Sequence, residues 1–394
     1  MTAKRRIAIV TGGRPDYGLF LPLLRLLAAD EDVALQLVVT GMHLIAEQGE
    51  TWRHIERDGF AIAAKVDMGI AGDTAADIAR AIGAGTTGMA QTFERLRPDM
   101  VVLLGDRFET LAAAVAAMLA RLPVAHIHGG ESTEGLIDEP IRHSITKMAH
   151  LHFTSTEPYR RRVIQLGETP ERVFSVGAIG LDNFRNMSLL DRAALEQALS
   201  LRLGSPTFLV TYHPVTLEDV SSAAPAEALL QALDNFADTR IVVTLPNTDT
   251  DSAALRARLA AYAENSGGRV TAFAVLGSLR YLSLMSQCDV VIGNSSSGLI
   301  EAPSVPVPSV DIGDRQRGRI SPPSVIHADT DTDSIVDAIN TALEPSFRAG
   351  LNGMKNPYGD GATAPRIAAI LKSTALDDAL IKKRFFDLPA GCFA

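Results

Sequence analysis

Short apolar runs alternate with stretches of helical length along most of the chain. Arg6 to Thr11, Val33 to Thr40, Met100 to Leu104 (MVVLL), Val124 to Ile127 (VAHI) and Val173 to Val176 read as strands, each brief, aliphatic and bounded by turn formers. Between them the sequence predicts helices: Leu19 to Ala29 with leucines at helical spacing, Thr74 to Arg97, the Ala-rich Phe108 to Leu119, and Glu157 to Leu166. Gly177 to Leu190 interrupts the pattern, and the alternation resumes from Pro206, with strands at Phe208 to Thr211, Ile241 to Thr244, Val270 to Phe273, Val290 to Ile292 and Val307 to Val310. Continuous apolar strands joined by helical crossovers build parallel sheets covered on both faces. Two such series predict an α/β protein of two Rossmann-like domains facing a central cleft. Their expected spans are residues 1–190 and 205–394, with the break near Met187 to Ser205 and the C-terminal helical segment a candidate to pack back on the first domain.

Composition agrees with this and removes some functions. A chain of 394 residues can bury two cores. A net charge of -9 and 5% aromatic residues leave no basic footprint for nucleic acid. Cys288 and Cys392 stand far apart, which argues for a reducing, cytoplasmic setting without a disulfide framework. The basic start, MTAKRRIAIVTGG, has too short an apolar run for a signal peptide, and Leu111 to Ala120 is half a membrane span. No membrane association is expected.

Chemistry concentrates between Gly105 and Phe153, where Asp106, Arg107, Glu109, His126, His128, Glu131, Asp138, Arg142 and His143 crowd two strand ends and the turns after them. In parallel units the carboxyl ends of strands open onto the ligand crevice, so Asp106 and His128 should lie side by side at its edge. Gly129 and Gly130 let the backbone turn tightly there. His126 alternates with His128 and should point the other way, as a core histidine. An acid after a strand also serves as a helix cap, but Asp106, His128, Glu131 and Asp138 together read as catalytic groups. Arg14, in the first strand-to-helix turn (GGRPDYG), is either a phosphate contact or a solvated loop arginine, and His43 is either ligand-facing or structural. The literal G-x-G-x-x-G of Gly83, Gly85 and Gly88 follows helical sequence, so it is rejected as a dinucleotide fingerprint.

The second series carries its own site. After the strand at Val290 to Ile292 comes GNSSSGLIEAPS, in which Asn294 turns the chain and Ser295, Ser296 and Ser297 open a helix, the place for a diphosphate. Glu301 is placed for ribose hydroxyls. His213, in TYHP, and Arg315, in DIGDRQRGR, follow neighbouring strands and complete a diphosphate pocket.

The set TGGRPDYG, LGDRFE, HIHGGE, IDEPIRHSITKMAHLHFTST, QLGE, GNSSSGLIE and IGDRQRGR resembles the hydrolysing UDP-N-acetylglucosamine 2-epimerases of bacterial sialic-acid synthesis, including the similar enzymes acting on UDP-N,N'-diacetylbacillosamine. The likeness runs from about residue 6 to the NPYGDG stretch at Asn356 to Gly361. It implies a GT-B fold, a UDP-sugar substrate, and a reaction in which UDP is eliminated to give a 2-acetamidoglycal and water then adds, releasing the epimerised sugar. It further implies function at Asp106 and Asp138, and nucleotide contacts at Arg14, His213, Ser295, Ser296, Glu301 and Arg315. Arg107 and Arg142 join the substrate-binding set, as do Asn294 and Ser297. At position 128 some members carry glutamate, so either His128 takes its role or Glu131 reaches in. No metal or other cofactor is expected. The resemblance implies a homodimer or larger homo-oligomer. Rival readings are a non-hydrolysing 2-epimerase, a GT-B glycosyltransferase and a silent nucleotide-sugar sensor.

Overall fold

The structure, a computed structural model, describes residues 4–46, 49–72, 74–133, 137–214, 223–246 and 252–389. Cys392 lies outside them. Two compact units emerge: Met1–Glu131 with Ile137–Asp182 and Gly361–Ala394, and Ser132–Leu136 with Asn183–Asp360.

In unit 1 the strands are β1 (Arg5–Thr11), β2 (Val33–Thr40), β3 (Ile62–Val66), β4 (Met100–Leu104), β5 (Val124–Ile127), β6 (Leu151–Thr154) and β7 (Val173–Ser175). They form an all-parallel seven-stranded sheet in the order β3-β2-β1-β4-β5-β6-β7. Its helices are α1 (Arg14–Ala29), α2 (Trp52–Arg57), α3 (Ala75–Leu96), α4 (Phe108–Leu119), α5 (Asp138–Met148) and α6 (Glu157–Gln165). The strand order reverses between β1 and β4, so ligands of such a sheet meet the chain after these two strands and their neighbours.

Unit 2 repeats the plan. After α7 (Asp182–Asn186) and α8 (Arg192–Leu199) come β8 (Thr207–Thr211), α9 (Ala223–Asp234), β9 (Arg240–Thr244), α10 (Ser252–Glu264), β10 (Val270–Phe273), α11 (Ser278–Met285), β11 (Val290–Gly293), α12 (Ser297–Ile300), β12 (Ser309–Ile312) and β13 (Val325–Ala328). The sheet is parallel, six-stranded and ordered β10-β9-β8-β11-β12-β13, with its reversal between β8 and β11. Then α13 (Thr332–Leu343) and α14 (Pro345–Gly350) precede α15 (Thr363–Ser373) and α16 (Asp378–Ile381), which belong to unit 1.

Several local expectations shift for identifiable reasons. Helix α1 starts at Arg14, five residues ahead of the expected Leu19, because Pro15 suits a first turn and the Asp16 carboxylate accepts the Gly12 and Gly13 N–H groups, each at 2.8 Å. The strand expected at Val307 to Val310 is β12, displaced past Pro308, whose ring nitrogen has no proton for a ladder. Strands β3, β6 and β13 were not expected: each is short, and Lys65, His152 and His327 interrupt their apolar runs. The glycine triplet lies inside α3, where a Cβ on Gly85 would come within 2.7 Å of Met68 and 3.3 Å of Ala112. It lets α3 lie close on the Ala-rich α4.

The chain leaves unit 1 at Asp182, ahead of the Met187 to Ser205 stretch, and returns at Gly361. Asp182 is fully buried, and its carboxylate accepts the N–H groups of Thr363 (2.9 Å) and Ala364 (2.7 Å), the first residues of α15. Removing that carboxylate strands two buried donors. Asp182→Ala is expected to destabilise unit 1 by about 2 to 3 kcal/mol. Urea unfolding followed through the sole tryptophan, Trp52 of unit 1, would show a lower midpoint; an unchanged midpoint would refute the role.

Candidate functional site

Parallel pairing of β4 with β5 sets Leu104 beside Ile127, so Asp106 and His128 follow adjacent strand ends. His126 is fully buried and turned into the core: its Nε2–H donates to the Gly105 carbonyl at 2.7 Å, and Nδ1 lies 3.2 Å from the Thr146 hydroxyl. Burial pulls its pKa down to about 3. His43 is also structural, bonded to Thr11 (3.0 Å) and Thr51 (2.8 Å), with its pKa lowered by burial to about 4.

His128 faces a different partner set. Its Nδ1 is 2.8 Å from the Glu131 carboxylate, and its Nε2 accepts the Ile179 N–H at 3.3 Å. Ser155 donates to the same Glu131 oxygen at 3.1 Å, and Glu131 is buried. The backbone is bent to allow this. His128 has φ +67°, a left-handed conformation that costs about 1 kcal/mol or more in a non-glycine residue. Gly130, at φ +78°, leaves no room for a side chain, since a Cβ would meet the Tyr159 carbonyl oxygen at 2.4 Å.

Arg142, expected among the substrate contacts, is instead enclosed, with 1% of its side chain exposed. It binds Asp106 through Nε at 2.8 Å and also through a terminal nitrogen, Glu139 at 2.6 Å, and the Glu131 carbonyl at 2.9 Å. The enclosure has a plain cause: two carboxylates and a carbonyl, brought to one place by β4, the turn after β5 and α5, satisfy a guanidinium away from water. Arg142 therefore orients Asp106. Asp138 opens α5 and is half-buried. Arg107, 39% exposed, pairs with the buried Glu109 at 3.2 Å, and burial pushes the Glu109 carboxyl up against the pull of Arg107. Arg14 is exposed on the first turn of α1.

Unit 2 gathers its groups around Asn294. Gly293 has φ +138°, and a Cβ there would lie 1.9 Å from the Thr211 carbonyl oxygen, so β11 can pass β8 this closely only with glycine. Asn294 is fully buried and clasps the His213 backbone both ways, accepting its N–H at 2.7 Å and donating to its carbonyl at 2.8 Å. Its own carbonyl accepts from Arg315 (3.1 Å) and Gln316 (2.8 Å). Burial and the neighbouring Arg315 lower the His213 pKa to about 3. Ser297 lies 3.1 Å from the Ser295 hydroxyl and 2.6 Å from that of Tyr281. The helix expected to open at the serines is the four-residue α12, followed by a 3-10 turn through Pro303 and with Glu301 at their junction; Ser296 caps it without a side-chain bond. So short a helix carries little dipole.

Reading the sequence missed Tyr281 and Glu139, which lie on helices, and Ser155 and Gln316, which lie in the turns after β6 and β12. Asp16 alone had a signal, its position three residues after Gly13 at a helix start.

The buried histidines give unit 1 a pH dependence. His43 and His126 have pKa values of about 4 and about 3 in the fold, against an ordinary 6.5, so below 6.5 the unfolded chain binds more protons. Their contribution is complete above 6.5 and declines as pH falls through this window. The Trp52-monitored urea midpoint should drop between pH 6.5 and 5, and His126→Gln should flatten the slope; a level profile in the unaltered protein would contradict the assignment.

Comparisons with known proteins bear on the family and the fold. A family model described as UDP-N-acetylglucosamine 2-epimerase matches residues 25–372. The chain is 36% identical over 386 residues to a GDP/UDP-N,N'-diacetylbacillosamine 2-epimerase (hydrolyzing) of Campylobacter jejuni, covering 98% of this chain and 100% of the relative. It is also 36% identical over 392 residues to a polysialic acid biosynthesis protein of Escherichia coli, covering 98% of each. The crystal structure of the Neisseria meningitidis UDP-GlcNAc 2-epimerase bound to UDP-GlcNAc superimposes with a TM-score of 0.81 at 17% identity, over 94% of this chain and 100% of that one, which shows the same GT-B-like fold. With a matched family model over most of its length and full-length relatives at this identity, the chain belongs to the UDP-N-acetylglucosamine 2-epimerase family.

Proposed function

We propose that the protein is a hydrolysing 2-epimerase that converts UDP-N-acetylglucosamine and water to N-acetylmannosamine and UDP. The observation that carries this reading is the group of Asp106, held by Arg142, and His128, paired with Glu131, after the ends of β4 and β5, together with Asp138 at the start of α5. The reaction needs several acid-base groups. A base takes the C2 proton while the C1–O bond to UDP breaks and its electron pair leaves on the diphosphate, giving a 2-acetamidoglycal. Water oxygen then bonds to C1 and loses a proton to a base, and an acid delivers a proton to C2 on the opposite face. Asp106, Asp138 and His128 are the groups for these transfers. In unit 2, His213, Ser295, Ser296, Arg315 and Glu301 bind the nucleotide, with Arg315 offsetting charge on the leaving diphosphate. Arg14 and Arg107 are the substrate-binding arginines of unit 1. The enzyme works in the cytoplasm as a homo-oligomer.

A second substrate is favoured by one finding. The Campylobacter relative is named for N,N'-diacetylbacillosamine and the Escherichia one for polysialic acid, at the same identity, so UDP-N,N'-diacetylbacillosamine is the alternative. Proton NMR of each UDP-sugar with the protein in D2O separates the cases. Free N-acetylmannosamine with deuterium at C2, together with UDP, is expected. Turnover of the diacetylbacillosamine substrate alone would transfer the assignment, and UDP-N-acetylmannosamine as product would make the enzyme non-hydrolysing.

The roles separate under mutation. Asp138→Asn or Asp106→Asn should lower kcat roughly a hundredfold to ten-thousandfold with UDP affinity retained. Ser296→Ala and Arg315→Ala should weaken UDP binding by about 1 to 3 kcal/mol in calorimetry. The reverse pattern would exchange the roles of the two units.

A further inference from the structure

We infer that Glu131 is a positioning residue that holds His128 in its Nδ1–H tautomer, which makes Nε2 the nitrogen that exchanges protons. This rests on the proton-transfer role proposed for His128.

The argument is one of donors and acceptors. A backbone N–H can only donate, so the Ile179 N–H directed at Nε2 requires a lone pair on that nitrogen. A neutral imidazole then carries its proton on Nδ1. The group facing Nδ1 at 2.8 Å is the Glu131 carboxylate, an acceptor. Both contacts select the same tautomer. The carboxylate is itself fixed, since it is buried and Ser155 donates to the same oxygen at 3.1 Å. The turn is built to fold Glu131 back beneath His128: His128 and Gly130 are both left-handed, the Gly130 carbonyl accepts from Arg162 at 2.7 Å, and the Glu131 carbonyl accepts from Arg142 at 2.9 Å. These bonds constrain the backbone on both sides of the carboxylate.

The chemical consequence follows from charge. When Nε2 takes a proton, its lone pair forms the new N–H bond and the imidazolium positive charge lies against the Glu131 carboxylate, which stays ionised. The Ile179 N–H, at 3.3 Å, is a long contact for the proton to displace. Glu131 thus acts through His128, without itself exchanging a proton with substrate.

The test reads the tautomer directly. Protein labelled with 15N-histidine, with His128 identified by the signals lost in His128→Gln, is examined by long-range proton-nitrogen correlation without substrate. The expected result is a protonated Nδ1 and an unprotonated Nε2 on His128. Glu131→Leu should shift His128 towards the Nε2–H form and lower kcat at least a hundredfold with KM changed less than threefold. Glu131→Gln keeps an acceptor oxygen and should retain more of the Nδ1–H form and more turnover. An Nε2–H tautomer in the unaltered protein, or a tautomer indifferent to Glu131→Leu, would overturn the inference. The measurement needs no turnover, so loss of the epimerase reading and loss of this inference are told apart: an active enzyme with the wrong tautomer defeats only the latter.

Discussion

A buried guanidinium governs the charged cluster of unit 1. Arg142 comes from α5, yet its partners come from the end of β4, the turn after β5 and its own helix. A charge this enclosed is tolerable only if every donor is met, and breaking such a pair typically costs about 3 to 5 kcal/mol. The geometry of Asp106, the path of the turn carrying Glu131 and the start of α5 therefore come as a set. None can move far without stranding a charge.

The second unit reaches a comparable result with neutral groups. Asn294 spends its side-chain amide on the His213 backbone and its carbonyl on Arg315 and Gln316, so three strand ends are registered by one buried residue. An amide can both donate and accept, which suits a clasp on a backbone. The close pass of Gly293 over the Thr211 carbonyl is the steric counterpart. In each unit, buried polar residues fix the positions of the polar groups beside them.

Both sheets share one strand order, with the reversal between the first and fourth strand of each series. Parallel sheets of this kind leave their ligand-binding groups on the loops after the central strands. Arg14, Asp106 and His128 follow β1, β4 and β5, while His213, Asn294 and Arg315 follow β8, β11 and β12. Fold and site are thus linked through topology more than through any one contact. The repetition is architectural.

Much of this was legible in the order of residues. Apolar runs marked the central strands, because a strand covered on both faces must be apolar throughout. The acids, histidines and serines behind those runs marked where chemistry would sit, and the shared motifs implied the family. Strands β3, β6 and β13 escaped notice because each is short and carries a charged residue or histidine within its apolar run. Tertiary structure decided what each group does. The enclosure of Arg142, the tautomer of His128 and the clasp of Asn294 join residues 36, 51 and 81 positions apart. A sequence determines which donors and acceptors exist and which strand ends carry them; only the folded chain decides which donor meets which acceptor, because those pairings depend on register and helix placement across distant segments.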